Sequence, residues 1–490
     1  MKTKITGRYV VGYENNDHVI YKDGEVVFEE DLIIFVGHKY SGTVDKTIEA
    51  GNALVGPGFI DLNALADIDN TVLTYDLTPE IGLGKLWSEA YIKKGPHDVG
   101  AADEQALKSR YALTQLVHNG ITTALPVTGL QYREWAETKA EFDNIVDIAV
   151  GLGLRVYLGP SYRSAVHYAT ADGKHGLYWD EEKGLKGLED ALAFIKEHDN
   201  THNGMVRGLL VPSTVETCST DLLNKTKKSS DELGCPIRLH ATQSMLEFEL
   251  IKKWHGKTPL QFLDSIGFLG PKTLIPHGIY VNGYSREDCG EGPDLDILRD
   301  TQSIVVHCPF PIARAGTLLE SFEKYTKHGI RLAMGTDCYP SDMIINMRLG
   351  SMMCRFAENS SYVASTADLY RAATIWGAEA LGRSDIGRLA ENMKADITVI
   401  DMDCFRMAQI DDPIRTLIMN GIGSDVKTVI INGKTVMEDR VIPGVDYLDL
   451  KEKAQQYYFK LKEAYSERDY ANRSSQELFP DGFKMIERRP

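Results

Sequence analysis

The chain has 490 residues, 43% of them hydrophobic and 25% charged, ordinary values for a globular protein with a large buried core. Its 70 acidic residues against 54 basic ones leave a formal net charge of -16, which makes nucleic acid and anionic membrane surfaces poor partners. No apolar run reaches the roughly 18 to 20 residues of a membrane span, the opening Met1-Lys2-Thr3-Lys4 has no apolar signal core, and the seven cysteines form no C-x-x-C pair, so a cytoplasmic location is expected.

Residues 1–57 read as short β-prone runs, such as Arg8–Tyr13 and Leu32–Gly37, separated by turn residues. Residues 58–385 alternate short apolar runs with longer amphipathic ones, the pattern of repeated βα units. Buried strands are expected near Phe59 and at Ile121–Leu125, Arg155–Gly159, Val206–Val211, Pro236–His240, Thr273–His277, Ser303–His307 and Arg331–Asp337. Eight parallel strands with interleaved helices predict an α/β fold, a (β/α)8 TIM barrel with its chemistry at the C-terminal strand ends. Residues 386–446 return to β structure at Ala395–Asp401 and Val426–Lys434, the latter closing on Asn432-Gly433. These runs are expected to join the N-terminal ones in one small β-sandwich built from both chain ends. Residues 447–490 begin as a charged amphipathic helix and become polar, which reads as a solvated or oligomer-contact arm.

His240, His277, His307 and Asp337 each end a successive strand run, so all four are expected to converge at the mouth of the barrel. Arg163, directly after another strand, suits bidentate binding of a carboxylate. The loop bearing Tyr75, Asp76, Trp87 and Tyr91 is expected to form an aromatic lid, and Tyr339 with Asp342-Met343 the pocket floor. Cys308 and Cys338 follow site residues directly. Strand alternation turns Cys308 to the face opposite His307, into the core.

The segments Ile237-Arg238-Leu239-His240-Ala241-Thr242-Gln243, Leu274-Ile275-Pro276-His277, Val306-His307-Cys308-Pro309 and Met334-Gly335-Thr336-Asp337 resemble the amidohydrolase superfamily, in its chlorohydrolase and aminohydrolase (cytosine deaminase-like) branch. Gly56-Pro57-Gly58-Phe59-Ile60-Asp61-Leu62 is similar to the opening of that barrel. The resemblance implies a hydrolase of C–N bonds, often homo-oligomeric, acting on a small molecule with one divalent metal (Zn, Fe or Mn). Its ligands are a His-x-His pair, the histidine matching His240 and the aspartate matching Asp337. The match to His277 polarises the substrate or holds the attacking water, and a glutamate three places after the His240 match shuttles the proton.

Three positions depart from that pattern. Asn63 and Leu65 stand in place of His-x-His, and Gln243 replaces the glutamate. Asn63 offers an oxygen but Leu65 offers no donor at all, and glutamine carries no proton at ordinary pH. The remaining ligands are His240 and Asp337, with His277 as a recruit and Asp61, Asp67 or Asp69 as further carboxylates; Glu247 is the nearest substitute acid. Three outcomes stay open. The first is a C–N (or C–Cl, C–S) hydrolase of a small heterocycle with an altered or absent metal. The others are a metal-free barrel for ring-opening, decarboxylation or isomerisation, using Asp337 as base with Asn63 and Gln243 as neutral donors, and a silent ligand-binding paralogue.

Overall fold

The computed structural model describes residues 1–75 and 77–486; Asp76, a member of the expected lid, lies outside them. In chain order the strands are β1 (Lys2–Glu14), β2 (Asp17–Glu29), β3 (Leu32–Gly37), β4 (Lys46–Glu49), β5 (Ala53–Pro57), β6 (Phe59–Leu65), β7 (Trp87–Ser88), β8 (Ile121–Val127), β9 (Arg155–Leu158) and β10 (Ala165–Ala169). They continue as β11 (His175–Trp179), β12 (Val206–Gly208), β13 (Ile237–Arg238), β14 (Thr273–Pro276), β15 (Ile304–His307), β16 (Arg331–Met334), β17 (Ile397–Asp401), β18 (Val426–Ile431) and β19 (Lys434–Met437).

The two chain ends share one hydrogen-bonded sheet of eight strands, in the order β19-β18-β17-β5-β1-β2-β3 with β4 paired to β1. Its inner side packs Val10, Val26, Phe28, Val55, Leu389, Ile397 and Ile430. The β18–β19 hairpin turns through Asn432 (φ 49°) and Gly433 (φ 75°), two left-handed residues that favour this dipeptide. A side chain at Gly433 would also strike the Glu30 carbonyl.

The parallel strands form two four-stranded sheets, β12-β9-β8-β6 and β13-β14-β15-β16. Their free edges meet on both sides. Leu210 bridges Ile237, and the Asp337 N–H donates to the Asn63 carbonyl at 2.7 Å. Gly335 permits the second approach, because a Cβ there would lie 2.9 Å from Asn63 Cβ and 3.0 Å from Cys308 Sγ. Between the sheets lies an apolar core of Ile60, Leu62, Leu125, Tyr157, Leu209, Val211, Leu274, Ile304, Val306, Cys308 and Ala333. Helices such as Ala102–His118, Lys139–Leu152 and Met343–Ala357 cover the outer faces. A buried ion pair of Arg155 on β9 with Asp396 ties the parallel strands to the end sheet, and Asp396 also accepts the Asn432 N–H at 2.8 Å.

Two features differ from the sequence expectation. β7, β10 and β11 form a separate three-stranded sheet beside the cleft. The C-terminal segment is a packed element: Tyr457, Leu461, Tyr465, Leu478 and Phe479 are buried against Ile68 and Tyr132. Its apolar stripe outweighs its charged face. Among the described residues no helix is long and apolar enough to cross a membrane.

Candidate active site

At the C-terminal ends of the parallel strands a cleft of about 300 Å³ is lined by His240, Gln243, Asp337, Leu65, Ser213 and Arg163, among others. His240 and His277 follow β13 and β14, with rings 5.6 Å apart. His277 Nε2 lies 3.8 Å from Asp337 Oδ2. One donor atom from each of His240, His277 and Asp337 falls within 4.8 Å of the other two. His277 (φ 75°) and Asp337 (φ 58°) both hold left-handed backbone, which non-glycine residues adopt rarely and which clusters at functional sites.

The imidazoles are held neutral. Burial, with His277 and Arg238 adjoining, keeps His240 well below the ordinary histidine range. Burial likewise lowers His277, against the opposing pull of Asp337. His240 Nδ1 donates to the Ser213 carbonyl at 3.2 Å, which leaves the Nε2 lone pair free.

The ladder between β6 and β8 shifts register between Asp61 and Ala64, and Asn63 turns toward the centre. Its Nδ2 donates to Asp337 Oδ1 at 2.8 Å, while its Oδ1 is buried without a partner. Two neutral imidazoles and a carboxylate form a donor set that suits a divalent cation with three protein ligands and an open position. Leu65 adds nothing to it.

The aspartates considered as substitute ligands are engaged elsewhere. Asp61 accepts the Thr336 hydroxyl at 2.5 Å and the Thr336 N–H at 3.0 Å, and burial pushes it up to about 6. Asp67 pairs with buried Lys108 at 2.7 Å. Asp69 binds Arg314 at 3.2 Å and the Tyr339 N–H at 3.0 Å. Glu247 uses both carboxylate oxygens on the Thr242 and Gln243 N–H groups, so it shapes the loop that presents Gln243.

His307 corrects the expected convergence. Ile304, Val306 and Cys308 belong to the apolar core between the sheets, whereas Val305 packs with the outer helices. His307 shares the outward parity: its Nε2 lies near Gly350 of the helix Met343–Ala357, and burial drives it down to about 3. Cys308 is the inward residue, 3.8 Å from Asn63 Nδ2, and burial raises its thiol far above the ordinary range. A protonated, buried thiol is a poor nucleophile.

The remaining expected residues divide between rim and support. Arg163 lines the cleft and an adjoining recess of about 120 Å³ that Lys85, Trp87, Gln131 and His167 also line. The Arg163 guanidinium donates to the Trp135 and Leu130 carbonyls, lies over the Trp87 and Trp135 rings, and has no carboxylate partner among the described residues. Trp87 is buried beneath it, a support for Arg163 instead of a lid. Tyr91 is buried against Trp87, whereas Tyr75 is exposed. Tyr339 packs on Tyr111 and donates to the Asp67 carbonyl at 3.0 Å, behind the cleft-lining Asp67 and Asp69 and not itself in the lining. Asp342 caps the helix Met343–Ala357 and accepts the Gly423 N–H, and Met343 lies in the outer core.

Two buried groups near the cleft escaped sequence reasoning. Arg238 projects from β13 on the same side as His240 and donates to the Leu125 and Pro126 carbonyls. Glu137 accepts the Thr128 and Ser161 N–H groups, and burial beside Glu141 pushes it up to about 7. Only the period-two step from His240 to Arg238 was visible in the chain; nothing local marked Glu137.

The model of the amidohydrolase family matches residues 86–436. The chain belongs to the amidohydrolase family. This amidohydrolase is accordingly a hydrolase that acts on carbon–nitrogen bonds. It is 26% identical over 429 residues to a 5-methylthioadenosine/S-adenosylhomocysteine deaminase of Pyrococcus abyssi, covering 86% of this chain and 91% of the relative. It is 26% identical over 441 residues to a 5'-deoxyadenosine deaminase of Methanosarcina barkeri, covering 89% of this chain and 92% of the relative. Its fold is that of an adenosine deaminase from Xanthomonas campestris with bound zinc, with TM-score 0.76, 18% identity, and 94% of this chain and 98% of that one covered. The zinc complex of atrazine chlorohydrolase from Arthrobacter aurescens gives TM-score 0.76 at 19% identity, covering 93% and 100%.

Proposed function

We propose that this amidohydrolase removes an exocyclic amine, by hydrolysis, from a small nitrogen heterocycle such as a purine nucleoside. The single observation that carries the reading is the approach of His240, His277 and Asp337 at one end of the parallel strands β13, β14 and β16. The deaminase relatives support the leaving group, and the edge contacts at Leu210–Ile237 and Asn63–Asp337 support closure of the two sheets into a (β/α)8 barrel. On this reading residues 58–385 are the catalytic barrel, residues 1–57 with 386–446 a small β domain, and residues 447–490 a helical tail.

A divalent metal held by His240, His277 and Asp337 would supply hydroxide near neutral pH. Asp337 takes the proton of the attacking water. As water oxygen bonds to the ring carbon and the C–N bond breaks, Asp337 returns the proton to the departing amine, because Gln243 holds none to give. Arg163, a cation without a carboxylate partner, suits an anionic substituent on the substrate. The Asn63–Asp337 hydrogen bond favours a second reading, in which the same groups work without metal and Asn63 orients the base.

Ammonia release from a panel of aminopurine nucleosides and aminotriazines tests the proposal, with Asp337→Asn and His240→Ala as controls. Turnover by the parent and a loss of about 10²-fold or more in each variant is the expected result. No turnover of any panel member, or equal turnover by the variants, refutes it.

A further inference from the structure

The region matched by the family model ends at residue 436, yet the segment after it reaches the rim of the cleft. Arg468, at the end of the short helix Tyr465–Arg468, is 1% exposed. Its Nη1 donates to the Gln131 carbonyl and its Nε to the Ala464 carbonyl at 3.2 Å. The guanidinium is sandwiched between the rings of Tyr132 and Tyr465, at 4.9 and 4.5 Å. Tyr465 in turn meets the Tyr132 hydroxyl at 2.9 Å, and that hydroxyl accepts from Asn70 Nδ2.

Gln131 and Asn70 both line the cleft, from two different loops. Gln131 also borders the recess that holds Lys85 and Arg163, and its carbonyl accepts the Trp87 indole N–H at 3.3 Å as well. One tail residue therefore joins the wall dividing cleft from recess, and a second reaches the Asn70 loop through Tyr132.

Packing alone does not account for Arg468. No ion pair among the described residues includes it, and its Nη2 is buried without a partner. A buried cation with an unsatisfied donor costs stability that a methionine between the same rings would not. Such groups are retained where a directional contact has to hold something in place.

We infer that Arg468 and Tyr465 are positioning residues of the substrate cleft, which set the spacing between the Asn70 and Gln131 loops. The inference rests on the cleft being the substrate site, as proposed above. Loosening these loops leaves the reacting groups of β13–β16 untouched, so the effect falls on binding and not on the chemical step.

The test compares Arg468→Met, Arg468→Lys and Tyr465→Phe with the parent by amide hydrogen exchange and by steady-state kinetics, using 5'-deoxyadenosine as the probe. In Arg468→Met, exchange at residues 69–71 and 130–132 should quicken at least about tenfold while β13–β16 keep their protection. KM should rise about tenfold with kcat within about threefold, and Arg468→Lys should recover part of both. Tyr465→Phe, which removes one hydroxyl and is the variant least able to unfold the chain, should quicken exchange at residues 69–71 and 130–132 by less than Arg468→Met does. Unchanged rim exchange, protection lost throughout, or a fall in kcat at constant KM overturns the inference. If the parent fails to turn over the probe, that counts against the proposed function, and the exchange result alone decides on Arg468.

Discussion

The ion pair of Arg155 and Asp396 is the sharpest test of how the molecule is held together. Both side chains are almost wholly buried, at 1% and 2% exposure, one on a parallel strand and the other ahead of β17. Asp396→Ala leaves a guanidinium in the core without its counter-charge and deprives the Asn432 N–H of its acceptor. Removing one member of a buried pair costs about 3–5 kcal/mol, because the survivor keeps its desolvation penalty and loses the compensating attraction. Replacing both with apolar groups, Arg155→Met with Asp396→Leu, removes the charge and the penalty together. That double variant should lie within about 1–2 kcal/mol of the parent. Urea unfolding followed by tryptophan fluorescence and far-UV circular dichroism supplies the free energies for a double-mutant cycle. A coupling of at least about 3 kcal/mol is the expected result. Single variants as stable as the parent, or a double variant costing the sum of the singles, would refute the reasoning. The pair lies at the far end of β9 from the cleft, so substrate affinity should not change with it.

Glu137, pushed up to about 7 from 4.5, holds its proton in the folded state where the unfolded chain has lost it. Between pH 4.5 and 7 the folded state therefore binds more protons, and this group makes stability fall as pH rises, by roughly 3 kcal/mol at most. Glu137→Gln should remove that slope, so the stability difference between parent and variant measured by urea midpoint at pH 5 and pH 8 must shift toward the variant at pH 8; a constant difference contradicts it. His307→Gln should leave kcat within about threefold, since the ring faces the outer helix, whereas His277→Ala should cost about 10²-fold or more; equal losses would return His307 to the site. Elemental analysis should find more tightly held zinc in Asn63→His with Leu65→His than in the parent after the same dialysis, because two donors are added to three. Equal content in both would show that the cleft does not accept the added ligands.

Much of the architecture was legible because it rests on local pattern. The apolar runs at residues 121, 155, 206, 237, 273, 304 and 331 all became parallel strands, since a strand buried on both faces reads as a continuous apolar stretch. The Asn432-Gly433 hairpin followed from the left-handed backbone those two residues tolerate. The substitutions at Asn63, Leu65 and Gln243 were visible by position alone.

What the chain could not determine was which way a side chain faces and what it meets there. A period of two separates His307 from Cys308 but does not say which of them points inward; the choice depends on how β15 sits between β14 and β16, a matter of long-range register. The shift in the β6–β8 ladder turned Asn63 onto Asp337, a partner 274 positions away. Asp67 and Asp69 seemed free until Lys108 and Arg314 arrived from remote helices. The tail looked solvated because its apolar stripe had no visible partner, and only the assembled rim, with Ile68 and Tyr132 beside each other, supplied a surface worth burying it against. Charge pairing and burial are properties of three-dimensional neighbours. The sequence by itself determined the strands, and the tertiary structure decided which groups share the cleft.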